Sequence, residues 1–247
     1  MIGRFKPCME ILPVAQQHLW SELSPACRLG LELYGGTAIA LRLGHRQSVD
    51  FDFFTEKQLD KNELQVAFPF IRRSTVLQDA PNSFTFLVPC GESGDKHVKV
   101  SFFGGISFGR VGQPDLTEDG VLQVATLDDL MATKVKVILQ RVEAKDYRDI
   151  AAMVKAGTSL AHGLAAARKM YGSEFQPSES IKAITCFEGG DLHALSGDER
   201  KVLIEASSSV RGLPDVHVQS SGLSVTCDKH DSDVEKDNKR SFGHGMR

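Results

Sequence analysis

The fold of this chain is decided by the stretch Leu33-Tyr-Gly-Gly-Thr-Ala-Ile-Ala-Leu-Arg-Leu-Gly-His-Arg-Gln-Ser-Val-Asp-Phe-Asp-Phe-Phe54. A glycine pair near its start opens a short helical run, and an apolar strand at its end carries two aspartates. The first turn of a helix presents free backbone N–H groups and a partial positive charge, so this turn can bind phosphate oxygens. The order of these features points to a reaction class as well as to a fold.

The two aspartates, Asp50 and Asp52, lie two positions apart on the predicted strand. Because side chains alternate along a strand, both project from one face of the sheet. Val49, Phe51 and Phe53 project from the other face, where they can be buried. Taken alone, an Asp-x-Asp pair is usually a solvated strand face, and a Gly-Gly pair is usually a turn. Two carboxylates beside a phosphate-binding turn, however, predict a site for Mg²⁺ (or Mn²⁺) and a nucleotide.

The composition is that of an ordinary globular protein, with 247 residues of which 41% are hydrophobic and 25% are charged. This length allows one large domain or two small ones. The net charge of −3 excludes binding to polyanions by bulk charge, so a nucleic-acid contact would need a local basic patch.

The cysteines and the hydropathy pattern bear on the compartment. The five cysteines are scattered and lack the spacing of zinc ligands, so we expect free thiols in a reducing cytoplasm. They are Cys8, Cys27, Cys90, Cys186 and Cys227. The sequence has no apolar run of about 20 residues that could span a bilayer. It also lacks a signal-peptide pattern, and we expect no membrane partner.

The first 120 residues predict a mixed α/β unit, in which helices flank a sheet of four or five strands. The predicted helices cover 12–29, 38–43 and 60–66, and the predicted strands cover 31–34, 48–54, 85–88 and 98–103. Thr37 is the candidate N-cap of the second helix, which Gly44 ends.

The pattern becomes helical after residue 120 and predicts a helical domain over 121–212. Thr126 is a candidate N-cap, with Asp128 and Asp129 in the first turn that follows. Further helices are predicted over 149–155, 160–170, 178–185 and 197–208. Residues 213–247 are polar and charged, which predicts a disordered tail.

A predicted helix over 127–148 carries positive charges on its apolar face. Successive residues of a helix rotate by about 100°, which places Lys134, Arg141 and Lys145 within about 40° of the centre of the apolar stripe. Cations there are costly unless they meet anions or face a cleft. They either form structural ion pairs with Asp146 and Asp149, or face the aspartate strand and hold a triphosphate. A helix break near 143–146 would change the position of Lys145.

Two stretches resemble the AbiEii/AbiGii toxin family of nucleotidyltransferases. The first is residues 34–54, and the second is Leu130-Met-Ala-Thr-Lys-Val-Lys-Val-Ile-Leu-Gln-Arg-Val-Glu-Ala-Lys-Asp-Tyr-Arg-Asp-Ile150. The resemblance covers about residues 10–210. It implies an α/β (α+β) class, namely a polymerase-β-like nucleotidyltransferase domain with a mixed sheet over 1–120, followed by the helical domain. It also implies a toxin of a bacterial toxin–antitoxin or phage-defence pair, with a cognate antitoxin as partner.

The resemblance also implies roles for individual residues. Gly36 and Thr37 match a Gly-Ser/Thr pair that contacts nucleotide phosphates, and the two aspartates match metal-binding carboxylates. The second stretch matches a Lys…Arg…Asp motif that acts in nucleotide handling or catalysis. The predicted catalytic residues are Asp50, Asp52, Lys134, Asp146 and Asp149, of which the first two also hold the metal. The predicted nucleotide-binding residues are Gly35, Gly36, Thr37, Arg42, Ser48, Lys134, Arg141 and Lys145.

One position departs from the wider superfamily, which places a third carboxylate on a neighbouring strand. The equivalent run here is Val98-Lys-Val-Ser-Phe-Phe103, with Ser101 at the position of the acid. A serine cannot supply the anionic oxygen that a second metal and a general base require. Three explanations remain. Asp146, Asp149 or Asp95 substitutes, the chemistry uses one magnesium ion, or the protein binds nucleotide without rapid turnover.

The sequence thus predicts an Mg²⁺-dependent transfer of a nucleoside monophosphate from an NTP to a hydroxyl of RNA (a tRNA end) or of a protein. The alternative is a catalytically weakened module that binds nucleotide in a regulatory role, which Ser101 favours. A metal-dependent phosphohydrolase is less consistent with the sequence, because His45 and His97 lack clustered spacing. We expect both histidines to be surface or packing residues.

Overall fold

The structure of the protein is a computed structural model that describes residues 2–91 and 96–225. Its strands are β1 (Arg4–Phe5), β2 (Glu32–Tyr34), β3 (Asp50–Phe54), β4 (Thr75–Ala80), β5 (Ser83–Cys90), β6 (Lys96–Phe103), β7 (Asp115–Thr117) and β8 (Gln123–Val124). Its α-helices are α1 (Val14–Leu19), α2 (Pro25–Leu29), α3 (Gly35–Leu43), α4 (Lys61–Ala67), α5 (Leu127–Val137), α6 (Ala144–Lys155), α7 (Leu160–Tyr171), α8 (Pro177–Thr185) and α9 (Gly197–Ser209).

The strands form one eight-stranded sheet in the order β1-β7-β8-β2-β3-β6-β5-β4. β3 runs antiparallel to β2 and parallel to β6, so the predicted α/β class with a mixed sheet is confirmed. The predicted number of four or five strands is too low. β1, β7 and β8 contain only two or three residues each, which is too few to show alternation, and β4 is exposed along most of its length.

β3 anchors the sheet through its apolar face. Phe51 and Phe53 are fully buried, as predicted, and the ring of Phe53 stacks on that of Phe102 of β6 at a centroid distance of 5.5 Å. Val49 departs from the prediction, because it precedes the strand and is 59% exposed. Alternation along the sheet applies only to residues that pair, and pairing begins at Asp50.

α3 connects β2 to β3 and begins at the glycine pair. Gly35 has a φ of +75°, which lets the chain turn from β2 directly into the helix. The helix ends at Gly44, whose φ is +64°. The prediction that Thr37 caps this helix is wrong. Tyr34 holds the N-cap position, and Thr37 lies within the first turn.

Two long predicted helices are divided in the structure. The helix expected over 12–29 consists of α1, the 3₁₀ segment Trp20–Leu23 and α2, which begins at Pro25 because proline cannot donate a helical hydrogen bond. The helix expected over 127–148 starts at the predicted cap, Thr126, but ends at Val137. The chain resumes as α6 at Ala144, whose N–H donates to Asp191 Oδ1 at 2.6 Å. That partner is distant in sequence, so a helical wheel could not include it.

The helical part lies beside the sheet because α3 packs against both α5 and α6. The helices predicted over 160–170, 178–185 and 197–208 coincide with α7, α8 and α9 within one residue at each end. The sheet extends to β8, which pairs with β7, so a boundary after residue 120 would separate two paired strands. The division into two domains stays a prediction. None of the helices in the described ranges is long and apolar enough to cross a membrane.

Residues 213–225 pack against the sheet, which corrects the prediction of disorder for this part of the tail. Val216 and Leu223 are buried. The N–H of Leu223 donates to Glu56 at 3.1 Å, and that of Val225 donates to Gln123 at 2.9 Å. The few apolar residues here are too widely spaced to form a periodic pattern. Residues 226–247 lie outside the described residues.

The cysteines follow the prediction only in part. Cys8, Cys90 and Cys186 are free thiols, as predicted. Cys27 is disulfide-bonded, so the prediction of a free thiol is wrong there. Cys227 and Asp95, the latter one of the suggested substitute acids, lie outside the described residues.

Candidate active site

A cleft of about 820 Å³ lies between the exposed face of β3 and β6 and the helices α5 and α6. This volume is within the range of pockets that enclose small-molecule ligands. Its lining includes Gly35, Gly36, Ser48, Asp50, Asp52, Ser101, Lys134, Arg141 and Lys145. The cleft therefore brings most of the predicted site residues together. Thr37, Arg42, Asp146 and Asp149 do not line it.

The two aspartates project into the cleft from β3, as the strand alternation predicts. In the parallel ladder with β6, Asp50 pairs with Lys99 and Asp52 pairs with Ser101. Burial raises the pKa of Asp52, and the neighbouring charge of Asp50 acts in the same direction. The positive charge of Lys99 and a hydrogen bond from Ser101 oppose this rise. Burial thus disfavours the charged form of Asp52, whereas Lys99 and Ser101 favour it.

Neither position of the glycine pair has room for a side chain, because charged groups of the cleft lie close to both. A Cβ atom at Gly35 would lie 2.9 Å from Asp52 Oδ2, and one at Gly36 would lie 2.5 Å from Arg46 Nη2. A side chain at either position would displace a charged group of the cleft. The positive φ of Gly35 adds a second reason for glycine at that position.

Thr37 and Ser48 connect α3 to the start of β3. Thr37 is buried, and its hydroxyl donates to the backbone oxygen of Asp50 and lies 2.8 Å from Ser48 Oγ. The Thr37 side chain thus fixes the strand that carries the aspartates and does not face the cleft. Ser48 lines the cleft and stays a candidate for contact with a nucleotide.

Arg42 is placed away from the cleft, which argues against its predicted role in nucleotide binding. Its guanidinium donates to the backbone oxygens of Ala125 and Val124 at 2.7 and 2.8 Å, and pairs with Asp115 at 3.0 Å. It also lies over the ring of Phe5. These contacts tie α3 to the short strands β7 and β8. The sequence did not indicate these contacts, because the partners of Arg42 come from distant parts of the chain.

Lys134 of α5 lies between two aspartates of α6. Its Nζ is 2.6 Å from Asp146 Oδ1 and 2.7 Å from Asp149 Oδ2, and the three side chains are nearly inaccessible to solvent. A buried charge of this kind persists only when it is paired. The structural ion pairs considered for this lysine are therefore present, and Lys134 also lines the cleft.

Asp149 contacts two further residues, Arg46 and His45, that the sequence did not indicate as site residues. Arg46 donates to both of its oxygens at 2.7 and 2.9 Å, and His45 Nε2 lies 2.8 Å from Oδ1. Burial alone would raise the pKa of Asp149. The charge of Lys134 and the hydrogen bonds from His45 and Arg46 outweigh burial and hold this pKa well below its usual value. His45 is thus a hydrogen-bond partner of a buried carboxylate, which the expectation of a surface or packing residue did not include.

Arg141 lies in the connection between α5 and α6 and contacts the second aspartate of the network. Its Nε and Nη2 donate to the two oxygens of Asp146 at 2.8 and 3.0 Å, and 45% of its side chain is exposed. Lys145 is also half exposed and pairs with Glu143 at 2.7 Å. Because the helix breaks before Ala144, the wheel did not predict these positions correctly, although both residues line the cleft.

The suggested replacement of the third carboxylate by Asp146 or Asp149 is not supported by these contacts. Both carboxylates are buried and already hold cations. Within residues 2–91 and 96–225, three or more His, Cys, Asp or Glu side chains are nowhere grouped so that they could hold a metal ion. The position opposite Asp52 is Ser101, as the sequence indicates, and His97 is exposed.

Comparisons with known proteins identify the family of this chain. A sequence model of the family described as nucleotidyl transferase AbiEii toxin, Type IV TA system, matches residues 25–207. An uncharacterized protein of Aquifex aeolicus (strain VF5) is 32% identical over 120 residues, which are 48% of this chain and 54% of that protein. The chain thus spans about half the length of this curated relative.

Among solved structures, the crystal structure of an H. pylori protein assigned as a nucleotidyltransferase has a TM-score of 0.54 and 14% identity, over 78% of this chain and 92% of that chain. The solution structure of the antibiotic-resistance factor ANT(2'')-Ia matches with a TM-score of 0.48 and 13% identity, over 64% and 92% of the two chains. The first likeness shows the fold. Because the family model covers most of the chain, including both motif stretches, the protein belongs to the AbiEii family of nucleotidyltransferases of Type IV toxin–antitoxin systems.

Proposed function

We propose that the protein transfers a nucleoside monophosphate from an NTP to a hydroxyl group, with Mg²⁺ or Mn²⁺ as cofactor, and that it is the toxin of a toxin–antitoxin pair. The observation that carries this proposal is the cleft itself. It places two carboxylates of one strand beside the first turn of α3 and opposite the cationic wall of α5 and α6. The acceptor would be RNA, such as a tRNA end, or a protein, and the partner would be a cognate antitoxin.

The residues present fit a divalent ion. Asp50 and Asp52 offer hard oxygen ligands on one rigid strand, and Mg²⁺ is commonly held by one or two carboxylates together with substrate phosphates. Bound there, the ion would supply charge neutralisation and polarise a phosphoryl oxygen.

The opposite wall offers cations for the triphosphate. Lys134, Arg141 and Arg46 face the carboxylates of Asp146 and Asp149, so this network carries one positive charge in excess. Arg141 and Lys134 line the cleft, and their charged groups can stabilise the negative charge that develops on the leaving pyrophosphate. In this proposal, the two buried aspartates position the cations and do not touch the substrate.

The other end of the triphosphate would meet α3. The backbone N–H groups at the start of a helix have no acceptor within the helix, and Gly35 and Gly36 line the cleft. In the reaction, the acceptor oxygen forms a bond to the α-phosphorus while the bond from that phosphorus to the bridging oxygen breaks. Pyrophosphate leaves, and the proton of the hydroxyl passes to solvent.

Transfer of label tests this proposal. The full chain is incubated with α-labelled NTPs, Mg²⁺ and either total tRNA or cell protein. We expect labelled acceptor with the wild type and a loss of about a thousand-fold or more with Asp52→Asn, because a metal carboxylate contributes several kcal/mol to transition-state stabilisation. Asp215→Asn is the matched control, since Asp215 is exposed and does not line the cleft. Equal transfer by the wild type and Asp52→Asn would contradict the proposal.

Ser101 favours one alternative, a nucleotide-binding module with weak or no turnover. Thermal unfolding of the chain with an NTP, with and without Mg²⁺, separates the two functions. Stabilisation by the nucleotide that requires Mg²⁺ supports the enzyme. Stabilisation that is the same without Mg²⁺, together with no transfer of label, supports the module.

A further inference from the structure

A lysine lies beside the two carboxylates of the cleft. Lys99 Nζ is 3.1 Å from Asp50 Oδ2, and 38% of the lysine side chain is exposed to the cleft or solvent. The contact is fixed by the fold, because Lys99 and Asp50 are register partners in the ladder between β6 and β3. The cleft therefore contains a lysine on the same strand face as the carboxylates.

The position that follows on this face of β6 is Ser101, which pairs with Asp52. Ser101 is buried, and its hydroxyl is a hydrogen-bond donor to Asp52. A serine adds no negative charge to the site. The position that pairs with Asp52 thus supplies no anion, while the position that pairs with Asp50 supplies a cation.

Acidic side chains from the helical wall do not restore the missing charge. Asp146 is paired with Lys134 and Arg141, and Asp149 is paired with Lys134 and Arg46. In the part of the chain that the structure describes, no three His, Cys, Asp or Glu side chains are grouped so that they could hold a metal ion. Glu174 also lines the cleft, but it forms no such group with Asp50 and Asp52, which are the two carboxylates placed side by side on one strand.

We propose that Lys99 replaces a second divalent ion, so that this cleft acts with a single bound ion. The inference rests on the proposed function. Two carboxylates and one divalent ion carry no net charge, and Lys99 adds one positive charge that attracts a triphosphate, as a second ion would.

The ammonium group is suited to this role. It has three N–H donors, of which Asp50 uses one, so the others remain for a phosphate or acceptor oxygen at the cleft. It is a compact charge on a flexible stem. Lys99 is therefore assigned as a catalytic cation, and Ser101 as a residue that positions Asp52.

The first test counts the bound ions. The full chain is combined with Mn²⁺ and an α,β-methylene NTP analogue, and Mn²⁺ per chain in the isolated complex is measured by electron paramagnetic resonance. We expect one Mn²⁺ for the wild type and two for the double variant K99M/S101D, which removes the lysine and restores the carboxylate. Two Mn²⁺ ions in the wild-type complex would overturn the inference.

The second test measures turnover. We expect K99M to lower kcat by about a hundred-fold while the complex still binds one Mn²⁺, because one preorganised electrostatic contact is removed. K99R keeps the charge and should recover most of the loss. K96M is the matched control, since Lys96 is an exposed lysine at the start of the same strand and does not line the cleft. Wild-type turnover by K99M would contradict the assignment.

Failure of this inference can be distinguished from failure of the proposed function. If Asp52→Asn abolishes transfer and the wild type binds two ions, nucleotidyl transfer stands and only the role of Lys99 is wrong. If the wild type and Asp52→Asn transfer label equally, the proposed function itself is wrong. The melting temperature of each variant shows whether it is folded, and the ion count of the wild type does not depend on any variant.

Discussion

At the scale of single residues, Gly35 links the backbone to the chemistry of the cleft. Its positive φ turns the chain from β2 into α3, and its missing side chain leaves room for the Asp52 carboxylate. These are two separate requirements, one on conformation and one on space. They can be separated by comparison with Gly120, which has the same φ of +75° but no described atom within 4 Å of a Cβ.

Gly35→Ala should therefore reduce both stability and activity, whereas Gly120→Ala should reduce only stability. Each substitution places a side chain in the left-handed region, which costs about 1–2 kcal/mol. Only the first also displaces Asp52, and we expect its rate of label transfer to fall at least about ten-fold. Thermal unfolding and the transfer assay measure the two effects. Equal transfer rates for the two variants would show that the contact with Asp52 is unimportant.

Single residues also show where sequence patterns stop being informative. Alternation placed Asp50 and Asp52 on one face correctly, because it depends only on neighbouring positions. Arg46 and Lys99 carry no such signal. Their partners, Asp149 and Asp50, are 103 and 49 positions away, and only the folded chain brings them together. The same holds for Arg42, whose partners on β7 and β8 exclude it from the cleft.

At the scale of elements, β2 carries an unusual buried acid. Glu32 is 1% exposed, and its Oε2 has no hydrogen-bond partner among the described residues. Burial raises the pKa of Glu32 well above its usual value, and the nearby negative charge of Asp129 raises it further. The positive charges of Arg110 and Arg42 oppose this rise without cancelling it. The folded state thus favours the protonated acid.

The sign of the pH dependence follows from this raised pKa. The stability associated with Glu32 is fully present below its unfolded pKa of about 4.3 and is lost as the pH rises through the folded pKa. Glu32→Gln should therefore melt a few degrees higher than the wild type at pH 8, with a smaller difference at pH 5. Glu205→Gln, at an exposed position, is the control. A lower melting temperature for Glu32→Gln at pH 8 would contradict the prediction.

The elements that the sequence predicted poorly share a physical cause. Strands of two or three residues, such as β1 and β8, contain too few positions for a period, and partners elsewhere in the sheet stabilise them. The break between α5 and α6 contains no proline or glycine. It is accompanied by side-chain contacts, of Arg141 with Asp146 and of Ala144 N–H with Asp191. Longer periodic helices, such as α7 and α9, were predicted well.

At the scale of the whole molecule, residues 213–225 connect the end of the helical part to the sheet. Asp215 pairs with Lys169 of α7 at 3.3 Å, and Ser220 forms a backbone bridge with Arg110. Farther along, the Leu223 side chain is fully buried and its N–H donates to Glu56. This segment therefore spans both parts of the described chain, and its contribution to stability can be measured with a pair of leucines.

Leu223→Ala should lower the free energy of unfolding by about 2–5 kcal/mol, since it removes a fully buried side chain and leaves a cavity. Leu213→Ala is the matched control in the same segment. That side chain is 42% exposed, and its removal should change the free energy by less than about 0.5 kcal/mol. Denaturant unfolding of the full chain measures both. Equal free energies of unfolding for the two variants would show that the packing of 213–225 against the sheet does not stabilise the fold.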